Sequence, residues 1–128
     1  MSFTLEKKTI EEYFAGTWGS TTPLYFENMV ANNSDDEWVR LTIQNADSFQ
    51  ASLGNNPDYR YLGVLFFQIF VRPNTGSGRA TALVDIIEEL FRSQTIGGIT
   101  FKVPVVRKIP ATTEWYQVNV SIDFFRGE

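Results

Sequence analysis

The segment "YRYLGVLFFQIFVRP", residues 59–73, constrains the fold more than any other part of the chain. In an extended strand its apolar residues occupy both faces: Leu65, Phe67, Ile69 and Val71 on one, Leu62, Val64, Phe66 and Phe70 on the other. Such a strand is usually central in a sheet and covered on both sides. We therefore predict a central strand here. Its second face, around Phe66 and Phe70, must be covered either by the first helix or by a neighbouring subunit.

Two amphipathic helices are predicted beside this strand. In the first, Ile10, Phe14 and Trp18 recur every fourth residue. Ser2 or Thr4 can cap its start, and Gly16 and Gly19 with "GSTTP" are expected to end it. The second carries an apolar stripe between residues 80 and 91, and Gly97-Gly98 is expected to stop it and form a turn. The stripe consists of Ala80, Leu83, Ile87, Leu90 and Phe91.

Four further strands complete the pattern. They are "PLYFENMV", "EWVRLTIQ", "ITFKVPVVRKI" and "WYQVNVSIDFF". Pro104 lies inside the third, and because proline cannot donate to a ladder, that strand should be at an edge or carry a bulge. The order predicts one α+β domain over residues 1–128, with a mainly antiparallel sheet of about five strands and two helices packed on it.

Composition narrows the classes of function. The chain has 128 residues, 43% of them hydrophobic, which suits a single core. It contains no Cys and no His, which removes thiolate and imidazole chemistry and favours a cytosolic product. A net charge of -4 argues against general nucleic-acid binding, and no apolar run could cross a membrane. Residues 1–64 are acidic and the remainder slightly basic, so complementary faces could meet in a self-assembly.

The glycine loop in "RPNTGSGRATALVD" has the strand–loop–helix order of a phosphate site. It lacks the lysine that a P-loop needs, since Arg79 follows Gly78, and Thr81 replaces the third glycine of a dinucleotide fingerprint. We interpret the loop as a backbone turn in which one glycine adopts positive φ and the loop caps the helix. No cofactor is predicted.

The remaining candidates are acidic and aromatic residues. The run Asp35-Asp36-Glu37 lacks the spacing of a calcium loop and is interpreted as a solvated turn, so no metal site is predicted. No catalytic set is predicted either, because adjacent carboxylates on the helices, such as Glu88 and Glu89, point apart. Large aromatic residues in a Phe-rich sheet usually belong to the core, but Trp38 and Trp115 begin strands on their polar register and are expected to be partly exposed. They could form a ligand platform, with the glycine loop as a clasp, or belong to a protein interface.

Taken in order, the motifs resemble those of tail terminator-like proteins of long-tailed bacteriophages and prophages. After the helix ending near Trp18 come "TPLYFEN", "WVRLTI", "SLGNN", "YRYLGVLFFQIFVRPNTGSG", "ATALVDIIEELF", "GGITFKV" and "EWYQVNVSIDF". The combination of the R-x-x-G-x-x strand, the P-x-x-G-x-G loop, the helix that follows and the final W-x-x-V-x-V-x-F strand carries the likeness. The segment "KVPVVRKIPATTE" fits less well.

The resemblance implies a structural viral protein of the virion tail rather than an enzyme. Such proteins form a ring, usually a hexamer, that caps the head-proximal end of the tail tube, stops its polymerisation and faces the head–tail connector; assembly takes place in the bacterial cytoplasm. A head–tail connector or neck protein is the alternative in the same class, and a small ligand-binding module is one from another class. We expect the oligomer and partner contacts at Trp38, Phe66, Phe70, Gly76, Gly78, Arg79, Pro104, Arg107 and Trp115.

Overall fold

The structure is a computed structural model that describes residues 1–29, 36–46, 49–50, 59–73, 77–110 and 115–127. These residues form two helices, α1 (Phe3–Trp18) and α2 (Gly78–Phe91), and eight strands. The strands are β1 (Leu24–Phe26), β2 (Glu37–Asn45), β3 (Phe49–Gln50), β4 (Tyr59–Val71), β5 (Thr95–Ile96), β6 (Ile99–Phe101), β7 (Val105–Ile109) and β8 (Tyr116–Arg126).

The strand predicted to be central is central. β4 pairs antiparallel with β2 on one side and with β8 on the other, over nearly its whole length. The α+β prediction is confirmed, although the sheet is mixed because β1 runs parallel to β2. Eight strands replace the predicted five because β3 and β5 are two-residue strands and the predicted strand over 99–109 is divided into β6 and β7.

Both helices lie on the same face of the sheet. The α1 stripe Ile10, Phe14 and Trp18 joins the core formed by alternate residues of β4, and the Phe14 and Phe67 ring centroids are 4.8 Å apart. Phe91 of α2 reaches the same Phe67 ring at 5.4 Å. The possibility that α1 covers the other face of β4, around Phe66 and Phe70, is therefore wrong.

The helix ends agree only in part with the prediction. Ser2 caps α1 by accepting a hydrogen bond from the Leu5 N–H at 3.0 Å, and Gly19, with φ of 60°, ends it. α2 ends at Phe91, so Gly97-Gly98 is not its stop. Both glycines have positive φ and form the turn of the β5–β6 hairpin, which confirms the turn.

Pro104 lies in a bulge at the edge of the sheet. Phe101 pairs with Phe124 and Val105 with Ser121, so the chain takes one more step between these pairs than β8 does. The extra residue moves the side chains after it to the opposite face. Phe101 is buried under the helices, whereas Val105 faces away from them. The prediction of an edge strand or a bulge at Pro104 is confirmed on both counts.

A buried ion pair joins the two ends of the described chain. The Arg126 Nε donates to Glu6 Oε1 at 2.7 Å, and both side chains are almost fully buried. Asn45 donates to the second Glu6 oxygen at 2.8 Å, and the Tyr61 ring lies 4.3 Å from the Arg126 guanidinium carbon. The pair therefore fastens the first turn of α1 to the ends of β2 and β8 and the start of β4.

Candidate functional site on the open sheet face

The face of the sheet opposite the two helices, here called the open face, is the main candidate surface. It carries alternate residues of β2, β4 and β8, and the register places Phe66 between Thr42 and Ser121. Phe66 and Phe70 are half-buried. Within the described ranges neither helix packs on this face, so no helix covers the second apolar face of β4.

A groove of about 600 Å³ runs along the open face between β4 and β7. Its apolar lining comes from Val64, Phe66, Val105 and Ile109, and its polar lining from Arg107, Asn119, Ser121 and Asp123. The bulge before β7 produces this lining, because it turns the side chain of Val105 away from the helices. Phe66 and Arg107, two of the predicted interface residues, thus share one surface, and Pro104 lies in the bulge beside it.

Aromatic side chains cluster at one end of the open face. The Trp38 ring stacks on Phe70 with centroids 4.0 Å apart and planes at 14°, while Tyr25 and Trp115 meet it edge-on at 5.6 and 6.0 Å. The guanidinium of Arg40 lies 5.3 Å from the Trp38 ring centroid. Aromatic stacking and cation–π attraction stabilise this arrangement of side chains.

The aromatic cluster explains how far the side chains of Trp38 and Trp115 are exposed to solvent. Trp38 is only 8% exposed, so the expectation that it is partly exposed is wrong; its register faces away from the helices, but neighbouring rings cover it. Trp115 is half-buried, as expected, with the Arg72 guanidinium carbon 4.1 Å from its ring. Because the Trp38 ring is already covered, it offers no open platform for a planar ligand.

Arg79 is bound within the chain. It donates from Nε and Nη2 to the Glu37 carboxylate at 2.7 to 3.1 Å, which joins the start of α2 to the start of β2. The hydrogen bonds that Arg79 donates to the Glu37 carboxylate raise the pKa of the Arg79 guanidinium above its ordinary value. Contacts from Arg79 to another subunit would have to form beside this pair or replace it.

The glycine loop is described only at its end. Gly76 lies outside the described residues; Gly78 begins α2 and is exposed, and its φ is not positive. Ser77 is the N-cap residue, but its side chain makes no capping hydrogen bond. Of the predicted acidic turn, Asp35 lies outside the described residues, Asp36 precedes β2, and Glu37 is the first residue of β2 rather than part of a solvated turn. Most of the connection over residues 45–58 also lies outside the described ranges.

The described residues contain neither a cluster of metal-binding side chains nor a membrane-spanning helix. None of their acidic side chains gather in a group of three or more that could hold a metal ion. Neither of the two helices in these ranges is long and apolar enough to cross a membrane. The open face and the edge strand β7 are therefore the surfaces on which a functional interpretation of these residues can be built.

Together these features define the class: an α+β domain with both helices on one sheet face and, in its described part, a second face left uncovered. Seventeen solved chains match this fold. One has a TM-score of 0.74 and 15% sequence identity, with 100% of this chain and 96% of that chain covered. At this identity the likeness shows the fold alone. Comparison with curated proteins gave no match.

A family model described as "Phage tail terminator protein" matches residues 7–124. The match spans nearly the whole chain, from the first helix to the last strand. The chain belongs to the phage tail terminator family. This confirms the resemblance found in the sequence, and it assigns the protein a structural role in the tail of a bacteriophage.

Proposed function

We propose that the whole chain, residues 1–128, is the subunit of a homo-oligomeric ring, a hexamer, that caps the head-proximal end of the tail tube. The ring ends tube polymerisation by occupying the surface on which the next tube subunit would add. Its other side receives the head–tail connector protein. The single observation that carries this proposal is the family match over residues 7–124.

The geometry of the described residues supports an assembly role. The half-buried Phe66 on the open face and the exposed valines of β7 are apolar surface that a second molecule can cover. Contiguous exposed apolar surface is typical of protein–protein contacts. A ligand-binding module is less well supported, because the Trp38 ring is covered by Phe70 and its other neighbours.

The proposed partners follow from this role. They are further copies of the chain, the tail tube protein and the head–tail connector protein. The ring needs no enzymatic activity, no sequence-specific contact with nucleic acid and no membrane. It acts in the virion tail and assembles in the cytoplasm of the bacterial host, for a phage or a prophage.

Native mass spectrometry tests the ring. We expect a species at six times the chain mass of 14.6 kDa, with few intermediates, because a closed ring satisfies every subunit contact. The concentration should be varied from nanomolar to high micromolar. A protein that stays monomeric over this whole range contradicts a ring that forms before docking.

A further inference from the structure

The open face carries a local excess of positive charge. Its strands and the bulge beside β7 present four bases: Arg40, Arg60, Lys102 and Arg107. On the strands that the structure describes, Asp123 is the one acid of this face. These four bases and Asp123 give a charge of +3 in a chain whose net charge is -4, so the rest of the chain carries -7. Positive and negative charge are thus separated between this face and the remainder of the protein.

The positive charge of the open face is not neutralised within the chain. None of its four bases forms an ion pair with a described acid. The Arg60 guanidinium carbon and the Lys102 Nζ instead lie 5.4 and 6.0 Å from the centre of the Phe125 ring, and Arg107 lines the groove beside Phe66. A cation–π contact leaves the charge of the cation in place, so this face favours an acidic partner surface.

The helix α2 carries a surface of the opposite charge. Ala82, Asp85, Ile86 and Glu89 follow helical spacing and form one stripe, here called the α2 stripe. Ile86 is half-buried, and the other three residues are exposed. Neither Asp85 nor Glu89 forms an ion pair with a described base. The stripe therefore presents apolar atoms between two carboxylates that the chain itself does not neutralise.

The two acids of the α2 stripe disfavour the helix of a lone chain. Asp85 and Glu89 are four residues apart, a spacing at which like charges on a helix repel. Glu89 also lies in the last turn of α2, which contains no base, and a negative charge there is disfavoured by the helix dipole. Departures of this kind from local preference are expected at functional surfaces. A basic surface packed on the stripe would relieve both repulsions.

We propose that the open face of one copy packs on the α2 stripe of a second copy. This inference rests on the proposed ring and names the contact between its neighbouring subunits. Phe66 and Val105 supply apolar area for Ile86, while the bases of the open face meet Asp85 and Glu89. Two open faces would bring like charges together, which disfavours a symmetric pair. Because the two surfaces differ, the contact is heterologous and can close into a ring.

Charge reversal on either surface should weaken the assembly. Asp85→Lys with Glu89→Lys should raise its dissociation constant on the order of tenfold or more, and so should Lys102→Glu with Arg107→Glu. Both effects should shrink at high salt. Sedimentation velocity over a range of concentrations measures the dissociation constant. All four positions are exposed, so circular dichroism should show that the variants fold like the wild type.

Combining the two reversals tests whether the surfaces meet each other. The chain with all four substitutions has the wild-type net charge and should recover most of the affinity, because opposite charges face each other again. The matched control joins Lys102→Glu and Arg107→Glu to Glu12→Lys and Asp36→Lys, two exposed acids outside the α2 stripe. It has the same net charge and should stay weak. Equal recovery in both chains, or recovery in neither, would overturn the proposal.

The remaining outcomes separate this contact from the ring itself. Assembly that neither reversal weakens overturns the contact and leaves the ring standing. The wild type and the Lys102→Glu, Arg107→Glu variant are also titrated with a labelled DNA duplex. If this variant assembles normally but loses duplex binding that the wild type shows, the open face serves a nucleic acid, and the proposal is overturned. A wild-type chain that never assembles, alone or on tail tubes, removes the ring and this contact together.

Discussion

Replacing Glu6 by glutamine should lower the free energy of unfolding by about 3–5 kcal/mol. The substitution keeps the size of the side chain but leaves the Arg126 guanidinium buried without its counter-charge. Arg126 is 2% exposed, and its guanidinium carbon lies 4.3 Å from the centre of the Tyr61 ring and 5.1 Å from that of Phe3. Urea denaturation followed by circular dichroism measures the change in the free energy of unfolding. An unchanged slope of the transition shows that both proteins unfold in the same two-state manner.

Two variants control this result. Glu11→Gln removes a carboxylate that pairs at 3.5 Å with the partly exposed Lys7, and it should cost less than about 1 kcal/mol. The double variant Glu6→Leu with Arg126→Met removes both charges and should be more stable than Glu6→Gln, because no unpaired charge stays buried. A Glu6→Gln protein within about 1 kcal/mol of the wild type would show that the pair does not fasten α1 to the sheet.

Replacing Phe91 by alanine should cost about 3–5 kcal/mol. Phe91 is fully buried, and its ring joins the two layers of the core: its centroid lies 5.4 Å from those of Tyr13 and Phe67 and 5.1 Å from that of Phe101. Alanine leaves a cavity between both helices and the sheet, and the surrounding rings can fill it only in part. Thermal and urea unfolding should both report the loss.

The size of the cavity can be varied at the same position. Phe91→Leu keeps more of the volume and should cost less than Phe91→Ala. Leu5→Ala, at a position that is 47% exposed on α1, removes apolar atoms outside the core and should change stability little. Equal losses for Phe91→Ala and Leu5→Ala would contradict the description of the core.

The central strand could be predicted because β4 is apolar on both faces, a pattern that depends only on alternation. The side on which α1 packs could not be predicted from β4 alone, since Phe66 and Phe67 are equally apolar. The flanking strands resolve it: Val39 and Val120 share the face of Phe67, so the buried sides of three strands lie together under both helices. The predicted amphipathic stripes of the helices specify a buried face but not which surface covers it.

Other features depend on contacts between residues far apart in sequence. Glu6 and Arg126 are 120 positions apart, and nothing local marks either as buried. Gly63 is similar: a Cβ there would overlap the Phe124 ring, so the glycine leaves room for a side chain of the neighbouring strand. The cover over Trp38 arises in the same way, since Phe70 and Trp115 meet it only when three strands are assembled.

The bulge at Pro104 could be predicted from the sequence because proline has no N–H to donate to a ladder. The sequence did not place Arg79, because the partner Glu37 lies on another strand. The groove beside Arg107 also could not be foreseen, since it depends on the one-residue shift of register that the bulge introduces. Features that depend on one residue's own backbone could be predicted from the sequence, whereas contacts between residues on different strands could be seen only in the folded structure.

Electron microscopy of tails made without this protein tests the central claim most directly. In a phage or prophage that encodes the chain, deletion of its gene should leave tail tubes that continue beyond their normal length and fail to join heads. Supplying the wild-type protein should restore uniform tails with density for a ring at the head-proximal end. Tails of normal length joined to heads in the absence of the protein would contradict the account.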